Sequence, residues 1–155
     1  MLHIEFASAS RKQAARLKAE LKSLLQSYPT HPIVLIHLGQ LEPKEAGALI
    51  ASYPNLFFMT SRADPVDVER SEGRQPWENV FDGGVLKPRW KQLLATRPDR
   101  FIFAMDNHVA NSHWSDDAYL GRVSLWRQAL ETLPPGAAHA IAHGNAERLW
   151  NLPKQ

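Results

Sequence analysis

Asp106 and His37 each stand where an apolar run gives out, His3 lies within the first strand-like segment, and together they are the chain's best material for chemistry. Asp106 closes the stretch RPDRFIFAMDN, in which residues 101–105 are unbroken apolar side chains. Such a run is short enough for a strand buried on both faces, and a carboxylate at the carboxyl end of a parallel strand lies where α/β folds put their chemistry. The plainer reading is that it caps a turn or the next helix. His37 ends PIVLIHLG, where four branched aliphatic residues lead into a histidine and then a glycine. His3 lies in the alternating segment LHIEF. Two imidazoles and a carboxylate suit a divalent metal such as zinc. Each alone has a structural explanation; their joint occurrence at corresponding strand positions favours a shared site.

The elements that must position these groups follow from periodicity. Residues 2–6 alternate like a strand. Ser8 or Ser10 can cap a helix whose stripe is Ala14, Leu17, Leu21, Leu24, Leu25 and Tyr28, stopped by Pro29. Residues 32–39 give the second strand, and residues 44–53 a short helix ended by Pro54. Residues 55–61 (NLFFMTS) read as a third strand. From residue 62 to 85 the pattern dissolves into a long loop, a lid or insertion, with Gly83-Gly84 as a turn signal. A helix over 87–96 leads to the fourth strand, and a polar loop follows Asp106. Helices over 116–133 and from Pro135 to Trp150 finish the chain. This is β-α repeated four times with one further helix, which demands parallel strands joined by right-handed crossovers.

Composition narrows the class. The 155 residues suffice for a single domain, 1–155, with a real core. A formal charge of +2 and the absence of any long block of like charge argue against nucleic acid as a partner. The basic residues Arg11, Lys12, Arg16, Lys18 and Lys22 are interleaved with apolar ones and form a solvated helix face. There is no cysteine, so disulfides and thiolate ligands are excluded. No apolar run reaches the roughly 18 residues of a membrane span, and the start lacks the pattern of a signal peptide. No membrane partner and a cytoplasmic location are the expectation.

The segments PIVLIHLGQ, YPNLFFMTS, RPDRFIFAMDN and IAHGNAERLWNL, taken together, resemble the carboxyl-terminal half of the amidohydrolase superfamily. More narrowly the chain is similar to the amidohydrolase-related metal-dependent hydrolases that include aminocarboxymuconate-semialdehyde-decarboxylase-like enzymes. The resemblance runs from Leu2 to Leu152. It implies an α/β fold that is half of a (β/α)8 TIM barrel, strands five to eight with their helices. It also implies that His3 and His37 match the fifth- and sixth-strand histidines, as metal ligands, and Asp106 the eighth-strand aspartate. In that reading a divalent metal, zinc by expectation, activates a water that attacks a carbonyl or similar centre of a small-molecule substrate. His37 and Asp106 are the catalytic pair, with Asp106 relaying the water's proton. A metal-dependent decarboxylase is the same family's alternative.

The family's strand-one His-x-His pair is absent, since no His-x-His occurs in the chain. Metal binding is therefore expected to be weak, and catalysis to need an amino-terminal half-barrel from elsewhere. A half-barrel is expected to expose sheet edges and the apolar barrel interior, inviting that partner or a homodimer. The competing reading is a non-catalytic half-barrel remnant or subunit. Arg62, after the third strand, suits a substrate carboxylate; His108, His113 and Trp114 follow Asp106 and are further substrate-binding candidates. His139 and His143 are four apart on a helix without the glutamate of a zinc protease between them. Trp126 and Trp150 read as core anchors.

Overall fold

Proline and asparagine set the element boundaries in this computed structural model, which describes residues 1–63, 80–106 and 116–153. Ser10 opens α1 (Arg11–Ser27) by accepting the Gln13 amide at 3.3 Å. Asn55 closes it from a distance, its buried side-chain amide donating to the carbonyls of Leu25 (3.0 Å) and Tyr28 (2.8 Å). The chain continues through β1 (Ile33–Leu35), α2 (Pro43–Ser52) and β2 (Leu56–Met59). Next comes a hairpin, β3 (Phe81–Asp82) and β4 (Val85–Leu86), and then α3 (Pro88–Thr96) and β5 (Phe101–Ile102). Three helical pieces end the described chain: α4 (Asp116–Glu131), α5 (Pro135–His139) and α6 (Asn145–Trp150), the last two joined by a π-turn at Ala140–Gly144. No helix among the described residues is long and apolar enough to cross a membrane.

The fold is mixed α/β around a three-stranded parallel sheet of order β1-β2-β5, with Ile33 opposite Leu56 and Phe58 opposite Phe101. The order agrees with the expected alternation, but all four strands are shorter than expected: the second ends at Leu35, where the left-handed residues 37–40 follow, and the third at Met59. Residues 2–6 contribute only a parallel bridge, Leu2 to Leu35, made by the Leu2 amide on Val34 (2.8 Å) and the Ile36 amide on Leu2 (3.1 Å). The bridge stops because β1 stops: residues 37–40 turn left-handed, leaving nothing for Ile4 to pair with. Beyond Ile102 the ladder passes to a side chain. Thr60 Oγ1 accepts the Ala104 amide at 3.1 Å and donates to the Ala104 carbonyl at 3.2 Å, so the chain stays alongside β2 until it reaches Asp106. The long loop is also partly built. Gly83 and Gly84, at φ 54° and 82°, make the tight hairpin turn that favours glycine. The Val80 amide bonds the Ala63 carbonyl at 3.0 Å, which closes the neck of the excursion.

Side chains alternate cleanly across the sheet. Ile33, Leu35, Leu56, Phe58 and Phe101 face the main core, with Leu21 and Leu25 of α1, Ile50 of α2, Trp90 of α3 and Trp126 of α4. Trp126 meets the Phe81 ring edge-on at 5.0 Å. Val34, Phe57 and Ile102 face the other way and are equally buried, under Ala146 and Leu149 of α6. The guanidinium groups of Arg100 and Arg148 lie 5.2 and 5.9 Å from the Phe57 ring centre.

The expected exposure of one sheet face and edge is therefore corrected. The carboxyl-terminal segment covers that face, and it also satisfies the outer side of β5. Asn145 Nδ2 donates to the carbonyls of Phe101 and Pro98, both at 2.7 Å, and the Phe103 amide donates to the Ile141 carbonyl at 2.8 Å. The Phe101 amide is taken by Pro98. The last helix expected from the sequence runs unbroken from Pro135 to Trp150, with a π-turn inside it that frees the Ile141 carbonyl for the strand. Trp150 is not a core anchor: it is 42% exposed.

Candidate functional site

β1 delivers His37 into an unusual backbone. Residues 37–40 have φ of 56°, 51°, 63° and 54°, a complete left-handed turn in which only Gly39 lacks a side chain. That conformation costs an L-residue about 1–2 kcal/mol, so it persists only where the surroundings hold it. Ser61, at the end of β2, is one such hold. Its hydroxyl accepts the His37 amide at 3.2 Å, and its carbonyl lies 3.1 Å from His37 Nδ1. Leu38 is buried in the core on the other side. At Gly39 a Cβ would stand 3.3 Å from Leu35 Cδ1.

With Nδ1–H donated to the Ser61 carbonyl, Nε2 of His37 carries the lone pair and faces Asp106 Oδ2 at 4.0 Å, an electrostatic contact rather than a hydrogen bond. Arg62, itself at φ 51°, sets its Nε 3.7 Å from the same oxygen. The His3 ring meets the His37 ring edge to face with centres 4.8 Å apart, and its Nε2 bonds Glu5 Oε1 at 3.1 Å. His3, His37, Arg62 and Asp106 thus meet at one mouth, at the carboxyl ends of β1, β2 and the β5 strand. His108, His113 and Trp114 lie outside the described residues. Sequence reasoning missed Ser61 and Glu5; Ser61 stands two residues past its apolar run, behind Thr60.

The mouth is electrostatically divided. His37 is 2% exposed, whereas Asp106 is 41% exposed and keeps contact with solvent. Burial lowers the His37 pKa below 6.5; the Ser61 carbonyl and the Asp106 carboxylate oppose the shift, and His3 and Arg62 add to it. The imidazole is uncharged at neutral pH, fit to accept a proton. As pH falls through 6.5, the unfolded chain takes up that proton before the folded one does, so stability declines below that value and is unaffected above it. Urea unfolding at about pH 7.5 and about pH 5.5 should show this decline in the native chain and a smaller one in His37→Gln.

A resident divalent ion asks for three or four converging donors at about 2.0–2.2 Å. Among the described residues no group of three or more His, Asp or Glu side chains is arranged to hold one. Nε2 of His3 is committed to Glu5 and Asp106 lies against Arg62, while Nε2 of His37 stands 4.0 Å from Asp106 Oδ2. His3, His37 and Asp106 are neighbours here, yet as arranged they do not fit a metal as a ligand set of their own.

The family model described as amidohydrolase matches residues 1–152. No curated protein and no solved structure matches the chain. The matched span takes in β1, β2 and β5, the helices that cover them and all four residues of the mouth, and on that match the chain belongs to the amidohydrolase family.

Proposed function

We propose that this chain supplies the carboxyl-rim part of a hydrolytic site of the amidohydrolase-related kind, strands five to eight of a (β/α)8 barrel. The substrate is a small molecule with a carbonyl or similar electrophilic centre. The observation that carries the reading is the meeting of a buried neutral imidazole, a solvated carboxylate and a guanidinium at one rim, in a chain of this family. Asp106 is the proton acceptor for the attacking water and returns the proton to the leaving group. His37, its ring fixed by Ser61, orients the reacting group through Nε2. Arg62 lies against Asp106, its Nε 3.7 Å from Oδ2, and takes a substrate carboxylate when one is present. The divalent metal of the family's hydrolases, zinc by expectation, would need donors in addition to His3, His37 and Asp106, such as an amino-terminal half-barrel would bring. The aminocarboxymuconate-semialdehyde-decarboxylase-like branch makes decarboxylation the same mouth's other reaction.

A second reading is favoured by the covered sheet face and the capped β5 edge: a half-barrel domain that folds by itself and holds a carboxylate ligand without turning it over. Purified chain with added Zn²⁺, assayed on esters, amides and unsaturated acids with and without a free carboxylate, separates the two. Turnover of carboxylate-bearing substrates, with KM raised about tenfold in Arg62→Ala through loss of a charge-assisted contact, supports hydrolysis. Turnover indifferent to Arg62→Ala, His37→Ala and chelation overturns it. Carboxylate binding without turnover supports the second reading.

A further inference from the structure

We propose that His139 and His143 form a two-imidazole chelate for a divalent transition ion on the carboxyl-terminal helical segment, apart from the mouth described above. Their rings lie edge to face with centres 4.3 Å apart. His143 Nδ1 bonds Glu147 Oε1 at 2.7 Å, and the Glu147 side chain is only 15% exposed, so it is a fixed partner and not a passing one. A carboxylate on one ring nitrogen settles the tautomer and leaves the other nitrogen, Nε2, as a basic lone pair, which is how metal-ligating histidines are oriented in general. The zinc-protease glutamate is missing from between the histidines, but a glutamate one turn further on does the orienting.

The backbone is adapted to the pair as well. Residues Ala140–Gly144, which follow His139 and include His143, form a π-turn, a feature found mostly at functional positions in helices. Gly144 leaves the space the His139 ring occupies: a Cβ there would stand 3.3 Å from Cδ2 and 3.4 Å from Nε2. Imidazole donors suit zinc, copper, nickel and iron. No third His, Asp or Glu among the described residues completes a set. The ion therefore has two protein donors and open positions for water, an exchangeable site rather than a structural one.

The location gives the site a consequence. Ile141, inside the turn, accepts the Phe103 amide, and Phe103 lies three residues before Asp106. An ion bridging residues 139 and 143 holds the turn that caps β5, and binding to the folded state alone raises the melting temperature by mass action.

Calorimetric titration of the full chain with Zn²⁺ tests the site. One equivalent is expected, weakened more than tenfold in His139→Gln and in His143→Gln and about tenfold in Glu147→Gln. The same equivalent should persist in the His3→Ala/His37→Ala variant, and Zn²⁺ should raise the melting temperature of native chain but not of His143→Gln. Circular dichroism without metal verifies that each variant is folded. His139 is exposed, so its replacement keeps the test available even if His143→Gln fails to fold. Zn²⁺ affinity unchanged in His139→Gln, or lost in His3→Ala/His37→Ala instead, overturns the proposal.

Discussion

Asp106→Asn is expected to lower kcat/KM by about 10²–10⁴-fold in any setting where the chain supports hydrolysis, the range for loss of a positioned general acid–base group. The same variant should unfold within about 0.5 kcal/mol of native, as surface substitutions do. Both expectations follow from where the carboxylate sits. It follows β5 along the chain in a position that remains 41% exposed, with Arg62 Nε at 3.7 Å and His37 Nε2 at 4.0 Å. Asparagine keeps the shape and loses the basicity, so chemistry should suffer and packing should not. The two neighbours give the comparison its force. His37 is buried, and its replacement disturbs the left-handed turn as well as the mouth; Arg62 acts on substrate binding more than on the proton. A loss confined to KM in Asp106→Asn would move the carboxylate from proton transfer to substrate positioning. Activity within threefold of native would remove Asp106 from the mechanism.

Much of this mouth was legible in the sequence, because one physical rule exposes it: a parallel strand buried on both faces has to be apolar until it leaves the sheet. IVLI before His37 and FIFAM before Asp106 obey that rule, and the sheet order and the helices between the strands follow from the same runs. What stayed hidden depends on interactions that leave no local period. Ser61 holds His37 through its own main chain as much as its hydroxyl, and a serine ending NLFFMTS gives no sign of that. The left-handed turn over residues 37–40 contains one glycine where four residues need the conformation, so composition underreports it. The cover supplied by α6 was not legible either. Its two inward side chains, Ala146 and Leu149, make too narrow a stripe to announce a buried helix, and the conspicuous Trp150 beside them points out.

Asn145→Ala should cost about 1–3 kcal/mol, because the Phe101 carbonyl loses its donor whereas the Pro98 carbonyl keeps the Phe101 amide. Asn145 is 3% exposed and its one amide nitrogen serves Pro98 and Phe101, both at 2.7 Å. No other side-chain donor in the described contacts reaches those carbonyls. Arg148, bonded to Asn145 Oδ1 at 3.0 Å, sits on an exposed position, so Arg148→Ala is the matched control and should cost under about 1 kcal/mol. Against a typical domain stability of about 5–15 kcal/mol, the Asn145 effect is large. Its distribution is more telling than its size. The segment that carries Asn145 also supplies the Ile141 carbonyl to Phe103 and lays Ala146 and Leu149 over Val34, Phe57 and Ile102. Releasing one hydrogen-bonded anchor should therefore loosen edge and face together as a cooperative unit. Hydrogen exchange should accelerate first at the Phe103 amide, with little change at the Leu25 and Ile50 amides of the helices on the main core. A uniform acceleration across both faces would mean that the segment is part of one indivisible core. Stability within about 0.5 kcal/mol of native would mean that water replaces the amide without penalty, and that Asn145 does not hold the strand that carries Asp106.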